Sequence, residues 1–269
     1  MKNTIGIIGC GWLGLPLAKS LIQSGYQVRG STTNTLKLAV LEEEGIMPYL
    51  ISLGQDGITG PIKEFLDGLH ILIVNVPPKL RGKNNESYVL KMKFLHDEIG
   101  KSSVKKILFV SSTSVYGAAG GEVTENTLPM PMTESGRQLL EVEKIFQKDR
   151  SIQTSIIRFG GLIGPNRHPV TMLSGKRNLS NGNEPVNLIH LDDCIHLIKA
   201  VLANNWWNEI FNGVYPEHPL KRDYYSLMAD KNKLPRPQYL ASESINSGKI
   251  IISRKFLNKN IRFYADINE

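Results

Sequence analysis

The sequence predicts an α/β fold, a doubly wound parallel sheet with a small C-terminal α/β lobe. Three observations carry that prediction. Strand and helix patterns alternate through the first 160 residues, as they do where helices cover both faces of a parallel sheet. A glycine loop separates the first strand from the first helix within Thr4 to Ala18, TIGIIGCGWLGLPLA. The chain has 269 residues, 41% of them hydrophobic, enough to bury one large core, or one core plus a small lobe.

The first strand is read at 4–9, where Ile5, Ile7 and Ile8 make a β-branched run. The first helix is read at 13–24, where Leu13, Leu17, Leu21 and Ile22 recur at helical spacing. Further strands are expected at 26–31, 47–52, 70–76, 105–111 and 153–159, with helices at 35–44, 84–99 and 134–148. Right-handed crossovers wind this order into a sheet whose ligand crevice lies at the C-terminal strand ends. Loops rich in Gly, Pro and Asn follow strands at 77–87, 118–136 and 164–185, and such loops carry function on a rigid scaffold. Residues 186–212 return to a strand-helix-strand pattern, and 213–269 read as a small mixed tail. The expected division is a Rossmann domain over 1–165, rejoined by 186–212, and a small substrate lobe made of 166–185 and 213–269. Trp206 and Trp207 are expected to pack the end of the helix before them.

The loop Gly9-Cys10-Gly11-Trp12-Leu13-Gly14 has the order a dinucleotide site needs. Gly9 permits the tight turn, Gly11 lets a pyrophosphate approach the backbone, and Gly14 lets helix and strand pack closely. Trp12 and Leu13 open the helix whose free N–H groups face the phosphates. An NAD site places an acid about 20 residues past this loop, on the ribose 2′-hydroxyl. Here the second strand ends Val28-Arg29-Gly30-Ser31-Thr32-Thr33-Asn34 with no acid, and the first acids are Glu42 to Glu44 at the far end of the next helix. The hydroxyls of Ser31, Thr32 and Thr33, with Arg29 and Lys37 in reach, suit a 2′-phosphate. NADP(H) is therefore expected, with NAD(H) as the alternative.

Net charge is +7, but the basic residues are dispersed among acids and no RNA-recognition or helix-turn-helix signature is present. Anionic small molecules fit that surface better than nucleic acid. No apolar run approaches a membrane span, and the N-terminus enters a strand without a signal-peptide pattern, so a cytoplasmic protein is expected. Cys10 and Cys194 lack metal-ligand spacing and read as buried free thiols, so no metal is expected.

With the glycine loop placed, Phe109-Val110-Ser111-Ser112-Thr113-Ser114-Val115-Tyr116-Gly117 resembles the fifth-strand motif of the extended short-chain dehydrogenase/reductases, the NAD-dependent epimerase/dehydratase superfamily. Matches follow in order at Arg158 to Pro165 (RFGGLIGP), Asn187 to Asp193 (NLIHLDD) and Phe211-Asn212-Gly213, so the resemblance spans nearly the whole chain. It points to the small bacterial YeeZ-like group of atypical members. The resemblance implies that Ser112 orients the reacting oxygen, that Ser111, Val76 and Pro77 line the cofactor cleft, and that an aspartate of His190-Leu191-Asp192-Asp193 caps the next helix.

Two departures narrow the chemistry. The superfamily's Tyr-x-x-x-Lys falls on Ser135 and Leu139, so its acid/base couple is missing. Such catalysis contributes about 10²–10⁴-fold in rate. Thr113 and Ser114 also replace the acidic pair of sugar-nucleotide 4,6-dehydratases. Only 25 positions separate Gly164 from Ile189, where sugar-nucleotide epimerases insert a few dozen more residues. A small polar or anionic substrate is expected in place of a UDP-sugar. Arg167 and Lys176 are expected to bind its anionic group, and Tyr116 or His168 to move the proton. The expected protein is an NAD(P)-dependent oxidoreductase or epimerase-like enzyme. The rival is a dinucleotide-binding regulator without chemistry. The resemblance also implies a homodimer through the helices at 84–99 and 134–148.

Overall fold

The computed structural model describes residues 4–78, 86–117, 119–241 and 248–268. Seven strands form the main sheet: β1 (Thr4–Ile8), β2 (Gln27–Thr32), β3 (Met47–Leu50), β4 (Ile71–Val74), β5 (Lys106–Ser112), β6 (Gln153–Phe159) and β7 (Ile210–Gly213). Their order is β7-β6-β5-β4-β1-β2-β3, every neighbouring pair is parallel, and each expected strand is present. The chain builds outward from β1 to β3, then returns to lay β4 on the other side of β1, with Ile8 opposite Val74. That reversal opens the crevice of a doubly wound sheet between Gly9 and Asn75.

Alternating strand residues feed two cores. Ile8, Leu72, Val74, Ile107, Phe109 and Ile156 face α3 (Tyr88–Gly100) and α4 (Glu134–Lys148). Ile5, Ile7, Ile71, Ile73, Leu108 and Ile157 face α1 (Gly14–Gln23), α2 (Leu36–Glu43) and α5 (Leu191–Ala203). Helix α3 starts later than its pattern suggests, because Ser87 Oγ accepts from Leu90 N as an N-cap. Residues 84 and 85 of that expected helix, and 79–85 of the loop before it, lie outside the described residues.

A third cluster, with Ile163, Val170, Val186, Leu188, Tyr224, Tyr225 and Met228, joins the 164–185 loop to α6 (Lys221–Lys231). The short helix Pro169–Leu173 packs on α6. Two small parallel pairs tie these parts to the sheet: Gly161–Ile163 with Leu188–His190, and Gly121–Val123 with Lys249–Ile251. The hairpin of Ser52–Gly54 and Gly57–Thr59 and the helix Ile62–Leu66 went unread in the sequence. Each is too short to impose a period. Trp206 packs on Phe211 and Phe256, at the end of α5 as expected.

One capping expectation is corrected. The side chain that caps α5 is His190, whose Nδ1 accepts from Asp192 N at 3.2 Å. Asp193 instead turns to the chain's later segment and accepts from Tyr264 N and Ala265 N.

Candidate functional site

The glycine loop sits at the reversal of the sheet, pinned from both sides. Asn75, just after β4, donates its side-chain amide to Gly9 O at 3.0 Å, and Ser31 Oγ at the end of β2 accepts from Gly9 N at 3.0 Å. Gly9 has φ +103°, and a Cβ there would meet Asn75 O at 2.6 Å; at Gly14 a Cβ would meet Gly9 O at 2.2 Å. The fold itself demands those two glycines. Gly11 is different, because a Cβ there would meet nothing within 4 Å. Its bareness leaves room above the backbone at the start of α1, whose first turn carries no acid to offset its N-terminal positive potential. These residues fit the pyrophosphate of a dinucleotide. Leu13 is buried beneath the loop, and Val76 flanks it, with its Cγ2 3.4 Å from where a Gly9 Cβ would stand. Pro77 follows, exposed.

At the end of β2, Ser31 and Thr32 are buried and Thr33 is exposed. Thr32 Oγ1 accepts from Asn34 N at 3.1 Å. Arg29 does not join them. Its Nη1 donates to the carbonyls of Glu64, Phe65 and Asp67 at the end of the short helix Ile62–Leu66, a structural role that removes it from the expected 2′-phosphate group. Lys37, on the first turn of α2, stays exposed.

The 164–185 loop closes on the glycine loop. Gly164 and Arg167 exchange two backbone hydrogen bonds of 3.0 Å, forming a tight hairpin with Asn166 at φ +56°. Trp12 Nε1 donates to Pro165 O at 2.9 Å, and the exposed Arg167 guanidinium lies 4.9 Å from the Trp12 ring centre. Arg167, expected on the substrate side, thus stands beside the dinucleotide loop. Lys176 is exposed beyond the short helix.

Behind the end of β5 lies a buried polar network. Arg158 holds Glu143 through Nε at 3.0 Å and Nη2 at 2.6 Å, and Glu143 Oε1 accepts from Ser111 Oγ at 2.6 Å. Arg158 Nη1 also donates to Tyr116 Oη, which donates to Asn212 Oδ1 at 2.8 Å. Tyr116 is 0% exposed. Its expected catalytic role is therefore corrected: the hydroxyl is enclosed and shared between core partners, and burial raises its pKa. Ser111, expected in the cleft, is likewise buried in this network. Ser112 remains half-buried at the strand end, where its Oγ accepts from Ser114 N and caps the 3₁₀ turn Thr113–Tyr116.

His168 is corrected as well. Its Nδ1 accepts from Val170 N at 3.1 Å, and its Nε2 lies 2.9 Å from Tyr224 Oη. Tyr224 Oη donates to Ile267 O, so Nε2 must carry the proton. Both ring nitrogens are engaged, and burial lowers the pKa below the ordinary 6.5. The imidazole is a neutral helix cap, not a proton carrier.

Helix α4 brings its N-terminus against the 3₁₀ turn, where a Cβ at Gly136 would meet Ser114 O at 2.8 Å. Leu139 is buried in the core. Glu143, Arg158 and Asn75 went unread as site residues. The signal for the first was present, since Glu143 falls on the apolar stripe of Leu139, Val142 and Phe146. Among the described residues no group of three or more His, Cys, Asp or Glu could hold a metal ion. Cys10 and Cys194 are free and buried, and burial pushes the Cys10 thiol up to about 12.

This fold, a parallel sheet with its glycine loop at the strand-order reversal, defines a Rossmann protein. No family model matches the chain. Protein YeeZ of Escherichia coli K12 is 35% identical over 258 residues, covering 95% of this chain and 93% of that protein. An uncharacterized UDP-glucose epimerase, YtcB of Bacillus subtilis, is 24% identical over 65% of this chain and 62% of its own. Among solved structures, a UDP-glucuronic acid 4-epimerase from Bacillus cereus in complex with NAD superposes with a TM-score of 0.81 at 18% identity, over 98% of this chain and 93% of that one. A functionally unknown conserved protein from Silicibacter pomeroyi superposes with a TM-score of 0.79 at 22% identity, over 99% and 95%. The chain belongs to the YeeZ family.

Proposed function

We propose that this protein binds NADP(H) in the glycine-loop crevice and acts as an oxidoreductase or epimerase-like enzyme on a small polar or anionic substrate. The observation that carries this reading is the space above Gly11, the one glycine of the loop's three that the fold does not force, set between Gly9 and Gly14, which it does. The Bacillus cereus epimerase is in complex with NAD, and so is MoeE5, whose complex with UDP-glucuronic acid and NAD superposes with a TM-score of 0.81 at 16% identity. The missing acid at the end of β2 favours the phosphorylated dinucleotide here. With Arg29 occupied, Thr32, Thr33 and Lys37 are left to meet the 2′-phosphate. Arg167 is placed to add charge at the pyrophosphate, and Lys176 stays with the substrate. Bound dinucleotide would supply the hydride chemistry. The chain's own part is to hold it, to exclude water, and to present Ser112 Oγ to the reacting oxygen. The proposal includes a homodimer joined through α3 and α4.

A second reading has its own support. Ser135 and Leu139 replace the acid/base couple, Tyr116 is sealed in the core and His168 is locked as a cap. Those observations favour a regulator that reads dinucleotide levels without turnover. The experiment is titration with NADPH followed by Trp12 fluorescence, then a reductase screen on small carbonyl compounds. Saturable binding abolished by Gly11→Val supports the site. Binding unchanged in that variant removes it, and binding without any turnover moves the assignment to the regulator.

A further inference from the structure

Lys249 carries a charge that the described residues leave without an acid of its own. Its Nζ donates to Gly117 O at 2.6 Å, while the nearby carboxylate of Glu184 is taken by Lys221 Nζ at 2.6 Å. Two ammoniums therefore share the field of one carboxylate. Lys249 is half-buried, and that burial pushes its pKa below the ordinary lysine value.

An ammonium has three donors, and a carbonyl engages one. Desolvating a charge is costly unless an opposite charge compensates it, and a single neutral carbonyl is a weak counterpart. The position is also held firmly. Strand Lys249–Ile251 pairs with Gly121–Val123. Asn187 clamps it through Nδ2 to Lys249 O and Oδ1 from Ile251 N, each at 2.8 Å. At Gly248 a Cβ would meet Pro185 Cδ at 2.5 Å. With the backbone fixed at these points, the hydrogen bond of Nζ holds the Lys249 charge at one place. That place is set by Gly117, the residue that ends the turn capped by Ser112, on the side where Glu184 and Lys221 approach from the 164–185 loop and α6.

We propose that Lys249 is the substrate's anion anchor, its ammonium receiving the carboxylate of a small carbonyl or hydroxy acid bound beside the Ser112 turn. This rests on the small-substrate reading above and names the class of that substrate. It also supplies a cation beside the turn that follows β5, in a chain where Leu139 stands at the sequence position of the superfamily's lysine.

The test labels the full chain with glyoxylate, a carboxylate-bearing aldehyde, in the presence of cyanoborohydride. The Lys249 ammonium that draws in the carboxylate first loses a proton to solvent; the free amine adds to the neighbouring aldehyde carbon, water leaves, and hydride from the reagent reduces the imine to a stable secondary amine. Peptide mapping then compares Lys249 with the exposed Lys176, and acetaldehyde serves as the aldehyde without a carboxylate. Glyoxylate is expected to modify Lys249 at least about ten-fold faster than Lys176, the gain a charge-assisted hydrogen bond gives. That labelling should saturate and be slowed by acetate, and acetaldehyde should show no such preference. Lys249 labelling no faster than Lys176, or equal preference with acetaldehyde, overturns the anchor. NADPH titration of the same preparation separates the two proposals. Preferential Lys249 labelling without NADPH binding removes the dinucleotide reading and keeps the anchor, whereas NADPH binding without that preference removes the anchor alone.

Discussion

The guanidinium carbon of Arg167 lies over the indole of Trp12, 4.9 Å from the ring centre, joining the glycine loop to the hairpin after β6. Because Trp12 Nε1 also holds Pro165 O, this hairpin is fixed to the loop and not merely near it. Arg167→Ala is expected to raise the NADPH dissociation constant about ten-fold, since charged hydrogen bonds contribute roughly 1.5–3 kcal/mol. Arg167→Lys should recover part of the loss, and raised salt should narrow the gap from wild type. Calorimetric titration of the three proteins checks this; equal affinities would return Arg167 to the solvent.

The end of β2 sets the choice of dinucleotide. NADPH is expected to bind more tightly than NADH, and Thr32→Asp to reverse the order, because a carboxylate repels a 2′-phosphate and accepts from a 2′-hydroxyl. Lys37→Ala should weaken NADPH alone. Arg29→Met should leave the ratio of the two affinities unchanged, since Arg29 serves three carbonyls elsewhere. Competitive titrations with both dinucleotides decide it.

The Glu143–Arg158 pair is a matter of stability. Glu143→Gln leaves a buried guanidinium short of its counter-charge, and breaking such a pair costs about 3–5 kcal/mol. Tyr116→Phe should cost roughly 1–3 kcal/mol through the bond lost to Asn212. Urea denaturation measures both. NADPH affinity of Tyr116→Phe is expected to stay within about two-fold of wild type, for its hydroxyl meets only core partners.

His168 gives a pH signature. Burial lowers its pKa in the folded chain, so the unfolded chain takes up a proton first, near the ordinary 6.5. Stability is then full above that value and is lost as pH falls below it toward the folded pKa. His218, also lowered by burial, acts in the same direction. His168→Asn, which keeps a capping acceptor, should make the fall in the urea midpoint between about pH 7 and pH 5.5 shallower than in wild type. An unchanged slope would show that the ring titrates freely.

The parallel sheet was legible because its strands are continuous β-branched runs and its helices long enough to set a period, as at Ile71–Val74 and Glu134–Lys148. The glycine loop was legible for a local reason: all its requirements fall within six residues of chain. The proton carriers were misread because a side chain's freedom depends on distant partners. Nothing near Tyr116 announces Arg158 and Asn212, and nothing near His168 announces Tyr224. Arg29 was misassigned in the same way, its carbonyls belonging to a helix too short to be read. Lys249 drew no notice because it stands in a three-residue strand whose partner, Gly121–Val123, is equally brief.

That small pairing bears on how the protein is made. Val123 and Ile251 both belong to the core beneath α3 and α4, yet the ribosome releases them far apart in time. Strands through β6 can find their neighbours while synthesis continues, but the edge at Gly121–Val123 stays bare until Ile251 has emerged. Contacts of such long sequence separation form slowly, and an unpaired edge beside exposed apolar surface invites association with other chains. Until Ile251 pairs with it, that edge is therefore the seam at which the folding chain stays open to a wrong partner.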